Sequence, residues 1–563
     1  MNVTFLTTLL GAVSIVRYAL GIYFTQTPAT FICLAAFLHL FLLLVCLIWL
    51  SPRLSPLRKL PLAAQGPWWK TFLLEPLPVD LERFINETPN DGLIRYFGVF
   101  HGERLLITKP QGVKEMTLLH AYNFNKVAVA KKLIGHITGR GLVVVDQEEH
   151  KRQRKSLNPA FKFKYIKNLF PRFWYHTTQL VNSLEKDLHK DGNLSSFATI
   201  DVDRWMMRAT LDIIAATGFG VNVNAIQNPD GELARATPLA NSTDPRASFF
   251  RLLAFLLPQW LYFRMPMARR YEIDRINKAL NDAVLPLIKS RRAAVAEKQT
   301  LLVSADVEKS PSKIEEFAET DVISTLLRFP QPLSDTELVA QSATLLAAGQ
   351  DTTSVATTWA LYLLARHPQV QSILRAEIHG HLPAPDSDEP VDAALIESLP
   401  YLAAVSNETL RLYPPAPIIR REVVKPGTVI LGQLLPIGTI VAASVWGTHR
   451  AKAVWGADVK DFRPDRFLQY GQDGKMRFDA HGSLHGEEAA YSFIPFGAGV
   501  RSCIGERFAR GEFATLLAGL IGTFEWALVD QPPDTAEDIK LNFGIVTKPQ
   551  GGLSLRVRKA DGW

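Results

Sequence analysis

Hydropathy divides the chain before any single residue type does. Two apolar runs open it, Thr4 to Tyr23 and Phe31 to Leu50. The second is twenty residues without a formal charge, about the length that crosses the hydrocarbon core of a bilayer. Pro52-Arg53, Pro56 and Arg58-Lys59 follow, a basic flank of the kind retained on the cytoplasmic side. Residues 1–50 are therefore expected to form a membrane anchor of one or two segments, 51–67 a Pro-rich basic hinge, and 68–563 one folded body. Alternating apolar positions predict two strands, 94–100 and 104–108, joined by a His-Gly-Glu turn. Beyond them the apolar period is mainly helical. It predicts a basic helix from His150, helices through 200–295, a long helix from Asp321 to Arg366 interrupted near Pro330 and Pro332, and a helix from Gly505 to Trp526. Polar stretches at 296–317 and 472–488 read as a loop and a surface insertion. The fold class expected is mainly α with small β-sheets, α+β.

Composition narrows the chemistry. With 563 residues, 47% hydrophobic, the chain can bury a large core. A net charge of +7 admits nucleic acid, an anionic membrane or an acidic protein as partner. No arginine-rich run or zinc-ligand spacing supports nucleic acid, so membrane and acidic protein lead. Cys33 and Cys46 lie in the apolar runs, which leaves Cys503 as the only cysteine in the body. An internal disulfide and a multi-thiolate metal site are thereby excluded from it, and so few cysteines suit a reducing compartment.

Cys503 stands in Phe496-Gly497-Ala498-Gly499-Val500-Arg501-Ser502-Cys503-Ile504-Gly505. The glycines at 497 and 499 suit a tight backbone with positive φ, and the helix expected after Gly505 puts the thiol near an N-terminus that favours a thiolate. A small buried side chain is the plainer role for a lone cysteine. A dinucleotide loop is disfavoured, because Ser502 occupies the third glycine's place and no strand precedes it. One thiolate on a glycine-shaped loop, beside the charge of Arg501, is what a single axial bond to haem iron requires.

Two further constellations carry chemistry. In Ala348-Gly349-Gln350-Asp351-Thr352-Thr353-Ser354 a glycine and three hydroxyls weaken a buried helix. An acid beside an alcohol there can pass protons. Glu408-Thr409-Leu410-Arg411 sets opposite charges on one helical face, and Arg463-Pro464-Asp465-Arg466-Phe467 follows.

Taken together, A-G-x-D-T, E-x-x-R, P-x-R-F and F-x-x-G-x-R-x-C-x-G occur in the order found in the cytochrome P-450 family, which the chain resembles over roughly residues 60–560. The resemblance implies a membrane-anchored cytochrome P-450 fold binding haem b, with Cys503 as the iron ligand. It implies proton delivery by Asp351 and Thr352, and a buried charge network of Glu408, Arg411 and Arg466. Phe496, Arg501 and Gly505 would contact the haem. His150, which stands where the family often has Trp, would meet the propionates with Arg154, Arg421 (Arg420 its near rival) and His449. The pocket would be lined by parts of 118–139, by 345–348, 415–419 and 543–546, and Phe249 to Arg264 would form a lid. The implied reaction is insertion of one atom of dioxygen into a lipophilic molecule, as in fungal specialised metabolism on terpenoid or polyketide-derived scaffolds. Electrons would come from an NADPH-cytochrome reductase landing on the basic helix, with cytochrome b5 as a second donor, at the cytosolic face of the endoplasmic reticulum membrane. The alternatives are a haem-thiolate isomerase or dehydratase, which would have no use for the Asp351–Thr352 pair, and a haem sensor, which would not need an apolar pocket and an anchor.

Overall fold

The computed structural model describes residues 37–39, 41–190, 196–231, 234, 268–304, 321–327, 333–387, 389–482, 484, 486, 488–529 and 539–563. The run Thr4 to Tyr23, the start of Phe31 to Leu50, the expected lid and the two prolines at 330 and 332 lie outside them. No helix among the described residues is long and apolar enough to cross a membrane; the second apolar run ends there in a π-turn, Cys46–Leu50.

The two expected strands form as β1 (Leu93–Gly98) and β2 (Gly102–Ile107), antiparallel, with Leu93 opposite Ile107. Three later segments complete a five-stranded sheet: β3 (Phe124–Lys126), β4 (Ile418–Val423) and β5 (Ile440–Ser444), in the order β1-β2-β5-β4-β3. Only β2 and β5 run parallel. This register sets Lys126 directly opposite Arg421. A further strand, β6 (Thr547–Pro549), pairs with Leu541–Phe543.

Smaller ladders and many helices complete the described residues, and five helices position the site: α1 (Gln147–Leu157), α2 (Val202–Ile214), α3 (Asp335–Arg366), α4 (Pro400–Leu412) and α5 (Glu506–Thr523). The long helix expected from Asp321 is two pieces, Val322–Leu327 and α3. Ser334 and Glu337 start α3 with a reciprocal capping box, at 3.2 Å and 2.8 Å. Near its other end Trp359, fully buried, stacks on Tyr413 at 4.1 Å and donates its indole N–H to the Thr547 carbonyl at 2.8 Å. One aromatic thus joins α3, the end of α4 and β6.

Two sequence expectations are corrected here. Residues 296–304 continue the helix Ala268–Ser304 rather than forming a loop, because alanine, glutamate, lysine, glutamine and leucine are good helix formers wherever packing does not oppose them. Helix α5 stops at Thr523, because Phe524–Leu528 is claimed by a ladder with Ser554–Lys559, Trp526 lying opposite Val557. Of the stretch 472–488, residues 472–475 form the exposed turn of the hairpin Leu468–Tyr470/Met476–Phe478.

Beneath the cysteine loop lies a buried charge network. Glu408 and Arg411 are both fully buried and meet through paired bonds of 2.7 Å and 2.8 Å. The other guanidinium donors of Arg411 reach the carbonyls of His449 (2.9 Å), Val459 (2.7 Å) and Asp461 (3.1 Å). Glu408 also accepts from the Arg463 N–H at 2.9 Å and faces the Arg466 guanidinium at 3.5 Å. His449 extends the network upward: one ring nitrogen donates to the Arg411 carbonyl (3.2 Å) and the other accepts from the Ile494 N–H (2.9 Å). Burial, with Arg411 and Arg450 adding, holds its pKa down at about 3, so the ring is neutral. Charge on α4 is thereby tied to the backbone two residues before Phe496. Glu408→Ala leaves the Arg411 charge buried without a counterion, a loss of about 3–5 kcal/mol. Denaturant unfolding measures it, and a cost below about 1 kcal/mol would mean the pair is no stronger than a surface bridge.

Candidate active site

Helix α5 begins at Glu506, three residues after Cys503, as expected. The loop before it needs its glycines: Gly497 and Gly499 have φ of 72° and 68°, and a Cβ at Gly499 would collide with the Thr117 carbonyl. The Cys503 N–H donates to the Phe496 carbonyl at 2.8 Å, closing the loop on itself. From α1, Arg154 donates to the Ser502 carbonyl at 2.6 Å and to Asn158 at 2.9 Å.

Cys503 is accessible by area although it lies deep within the fold, because the surface it exposes is the wall of a cavity of about 320 Å³. Burial raises its thiol pKa and Glu506 adds to the rise, while the Gly505 N–H and Arg154 act against it. Desolvation thus opposes the thiolate that the helix terminus was expected to favour. The sulfur becomes an anion when a cation is placed opposite it.

The same cavity is lined by Thr344, Leu345, Ala348, Gly349, Thr352 and Thr353 of α3, together with Pro415, Ala416, Ile419, Phe496, Gly505 and Phe508. Of the lining expected from 118–139 only Ala121 takes part, and 543–546 does not reach it. Gly349 is required by packing, since a Cβ there would lie 2.9 Å from Ile214 of α2. Thr352 turns its hydroxyl back to the Ala348 carbonyl at 2.6 Å. Asp351 points elsewhere: it is buried and ion-paired with Lys548 of β6. Burial raises its pKa and Lys548 opposes the rise.

Cations outnumber anions on the other side. Along β4, Ile419 and Arg421 face the cavity, whereas Arg420 turns away to Glu75 at 3.6 Å. Arg421 donates only to the Arg420 carbonyl (2.9 Å) in the bonds it makes, and burial, with Arg501 adding, lowers its pKa to about 10. Arg501 also lines the cavity, bonded to Asp146 (3.2 Å) and the Phe124 carbonyl (3.0 Å), but its Nε has no partner. Lys126, cross-strand from Arg421, donates to the Leu142 and Val145 carbonyls at 2.8 Å and 2.7 Å. Its pKa is pushed down to about 7, first by burial and then by Arg421, Arg501 and Lys131, with Asp146 opposing. Like charges directly opposite on paired strands repel. Among the described residues Asp146, shared with Lys131 at 3.0 Å, is the carboxylate paired against them.

Three expected haem partners are placed differently. His449 is committed to the charge network and does not line the cavity. Arg154 braces the cysteine loop rather than the cavity wall. His150 sits behind the wall, its Nδ1 3.2 Å from the Tyr122 hydroxyl, and burial with the charges of Lys126, Arg501 and Arg154 lowers its pKa to about 3. Tyr122 in turn lies under the Arg501 guanidinium at 5.0 Å. Lys126, Tyr122 and Asp146 were not singled out from sequence. Each is an isolated polar residue in its own segment, and only the β3–β4 register and the start of α1 gather them. On α1, Arg152 bonds Glu149 (2.8 Å) and Glu337, and Lys151 bonds Glu148 (2.6 Å), so two cations of the expected landing surface are already neutralised.

A lone sulfur at one wall, an unbalanced cluster of cations at another and apolar groups between them fit an iron porphyrin with two carboxylates. Comparison with known proteins bears on this directly. The family model for cytochrome P-450 matches residues 93–555. The chain is 32% identical over 523 residues to the cytochrome P-450 monooxygenase sphH of Aspergillus fumigatus, covering 90% of this chain and 89% of that protein. It is 33% identical over 542 residues to the monooxygenase FUM15 of Gibberella moniliformis (90% and 88%), and 30% identical over 557 residues to ALT8 of Alternaria alternata (90% and 91%). The match runs through the cysteine loop, the hydroxyl-bearing helix and the charge network alike, and the chain belongs to the cytochrome P-450 family, the haem-thiolate monooxygenases.

Proposed function

We propose that the protein inserts one atom of dioxygen into a lipophilic substrate, using electrons from a separate NADPH-dependent cytochrome reductase. The observation that carries this reading is that Cys503 and the hydroxyl turn at Thr352 open on one apolar cavity. Cys503 would hold haem at its iron, and Arg421 and Arg501, which line the cavity, would hold its propionates. Bound there, haem supplies electron uptake and oxygen activation.

The chain's own part is position, dryness and protons. Desolvated walls exclude water and orient an apolar substrate by shape, which suits a terpenoid or polyketide-derived scaffold. Thr352 presents a hydroxyl at the cavity wall while its own proton is engaged by Ala348. Asp351, one residue back, holds its proton more tightly than an ordinary carboxylic acid and is restrained by Lys548. Opening of that ion pair would let Asp351 take a proton from water and rotate it toward Thr352.

We also place the body at the endoplasmic reticulum membrane, facing the cytosol. The uncharged run Phe31 to Leu50 and its basic flank support this, as do the exposed Trp68, Trp69, Leu73, Leu74 and Leu77 just after the hinge.

With reductase and lipophilic candidate substrates, NADPH consumption is expected to rise on substrate addition and to yield hydroxylated product. Product formed without NADPH would instead mark an isomerase. Thr352→Ala should keep NADPH consumption but lower product per NADPH by roughly tenfold or more, with hydrogen peroxide in its place; unchanged coupling would remove Thr352 from proton delivery. Lys548→Met removes the charge that lowers the Asp351 pKa, so the acid form persists to higher pH. The pH profile of product formation should then move to the alkaline side of wild type, and an unmoved profile would take Asp351 out of the path.

A further inference from the structure

The five-stranded sheet has two faces, and Arg421 belongs to the one that looks into the cavity. On the other face Tyr96 lies opposite Arg104 across the β1–β2 ladder, and Arg420 stands two strands away, opposite Ala442 of β5. One carboxylate serves both cations. Glu75 meets Arg104 at 2.8 Å and Arg420 at 3.6 Å, and accepts the Val99 N–H at 3.2 Å. The contact with Glu75 is the one ion pair that Arg420 makes among the described residues, and its Nε has no hydrogen-bond partner. Tyr96 has no solvent exposure, and its hydroxyl is likewise without a partner. Burial raises the Tyr96 pKa, with Arg420 opposing, so the phenol keeps its proton as a donor. Arg95 and Glu103, farther along the same two strands, cancel one another at 3.0 Å. Two guanidinium groups thus share one carboxylate beside an unused donor, an arrangement that one more oxyanion would complete.

The surroundings decide which oxyanion. Glu75 follows the short helix Trp68–Leu73, and Trp68, Trp69, Leu73, Leu74 and Leu77 around it are each about half exposed. The segment is held to the body: Phe72 packs edge-on against Phe100 at 5.4 Å, and the Thr71 hydroxyl lies 3.1 Å from a ring nitrogen of His101. Of the two cations Arg420 is the reachable one, its side chain 32% exposed against 9% for Arg104. An exposed apolar patch with a half-balanced cation at its edge matches an amphiphile with an anionic head. A free inorganic anion would use the cation and leave the indoles and leucines in water. Indoles are moreover the side chains that settle at the headgroup level of a bilayer.

We propose that Arg420 and Tyr96 bind the phosphate of an anionic phospholipid whose acyl chains lie against Trp68, Trp69, Leu73 and Leu74. The site rests on the membrane placement proposed above. Arg420 supplies the charge and the guanidinium donors, Tyr96 a hydroxyl donor, and Glu75 holds Arg104 and Arg420 in place. Adjacent residues of β4 would then each serve an anion, one on either face of the sheet.

The experiment is tryptophan quenching of the full-length holoprotein in vesicles of phosphatidylcholine with a minor fraction of phosphatidylserine. Brominated chains are carried by one lipid or by the other. Subtracting the signal of a Trp68→Phe/Trp69→Phe double variant isolates those two indoles. Mole for mole, brominated phosphatidylserine should quench them more strongly than brominated phosphatidylcholine by roughly fivefold, the gain of one basic side chain at an anionic surface. Arg420→Gln should remove that preference and Tyr96→Phe reduce it, both keeping the quenching by phosphatidylcholine. Lys475→Gln, on the exposed hairpin turn, should leave the preference as in wild type. Tyr96→Phe deletes only a hydroxyl and decides the matter where Arg420→Gln fails to fold. Equal quenching by both lipids in wild type, or a preference that survives both site variants, overturns the site while the membrane placement stands. Quenching by neither lipid overturns the placement and the site with it. Loss of the preference in inorganic phosphate but not in chloride of equal ionic strength marks a site for free phosphate and overturns the lipid assignment; indifference to phosphate supports it.

Discussion

Everything in the site depends on holding one sulfur still in a place where it does not ionise readily. Desolvation works against the Cys503 thiolate, and the nearby Gly505 N–H and Arg154 do not fully offset it. Iron held opposite the sulfur would supply the positive charge that favours its anion. Its rigidity comes from backbone. Two left-handed glycines, the Cys503-to-Phe496 bond and the Arg154 brace fix the position, and His449 relays the support of Glu408 and Arg411 through Ile494. A charge pair with no solvent exposure thus serves the chemistry without touching it.

The opposite end of the cavity shows the same economy of sign. Arg421 and Arg501 line it, Lys126 stands cross-strand from Arg421, and Asp146 is paired with Arg501, so positive charge is in excess there. Between these two electrostatic poles the lining is mostly apolar, apart from the hydroxyls of α3 and of Thr117.

What could be read from sequence divides along the same physical line. The cysteine loop, the E-x-x-R face and the hydroxyl turn each place their chemistry within ten residues, where spacing carries the geometry. Residues whose role arises from strand register or long-range packing could not be read that way. Lys126 meets Arg421 only through the β3–β4 pairing, and Lys548 finds Asp351 across 197 positions. His449, which the resemblance suggested as a haem partner, bridges backbone groups through both its ring nitrogens, a role that only the packed structure displays. The helix that stops at Thr523 and the one that continues to Ser304 fail for a related reason: local period cannot tell which segment a ladder or a packed neighbour will claim.

The most direct measurement is the absorption spectrum of the reduced protein under carbon monoxide, wild type beside Cys503→Ser. A strongly red-shifted Soret band in wild type, lost in the folded variant, is the result expected of a thiolate bound to haem iron through Cys503. A folded wild type without that band, or a variant that keeps it, would contradict the assignment of the sulfur and the mechanism built on it.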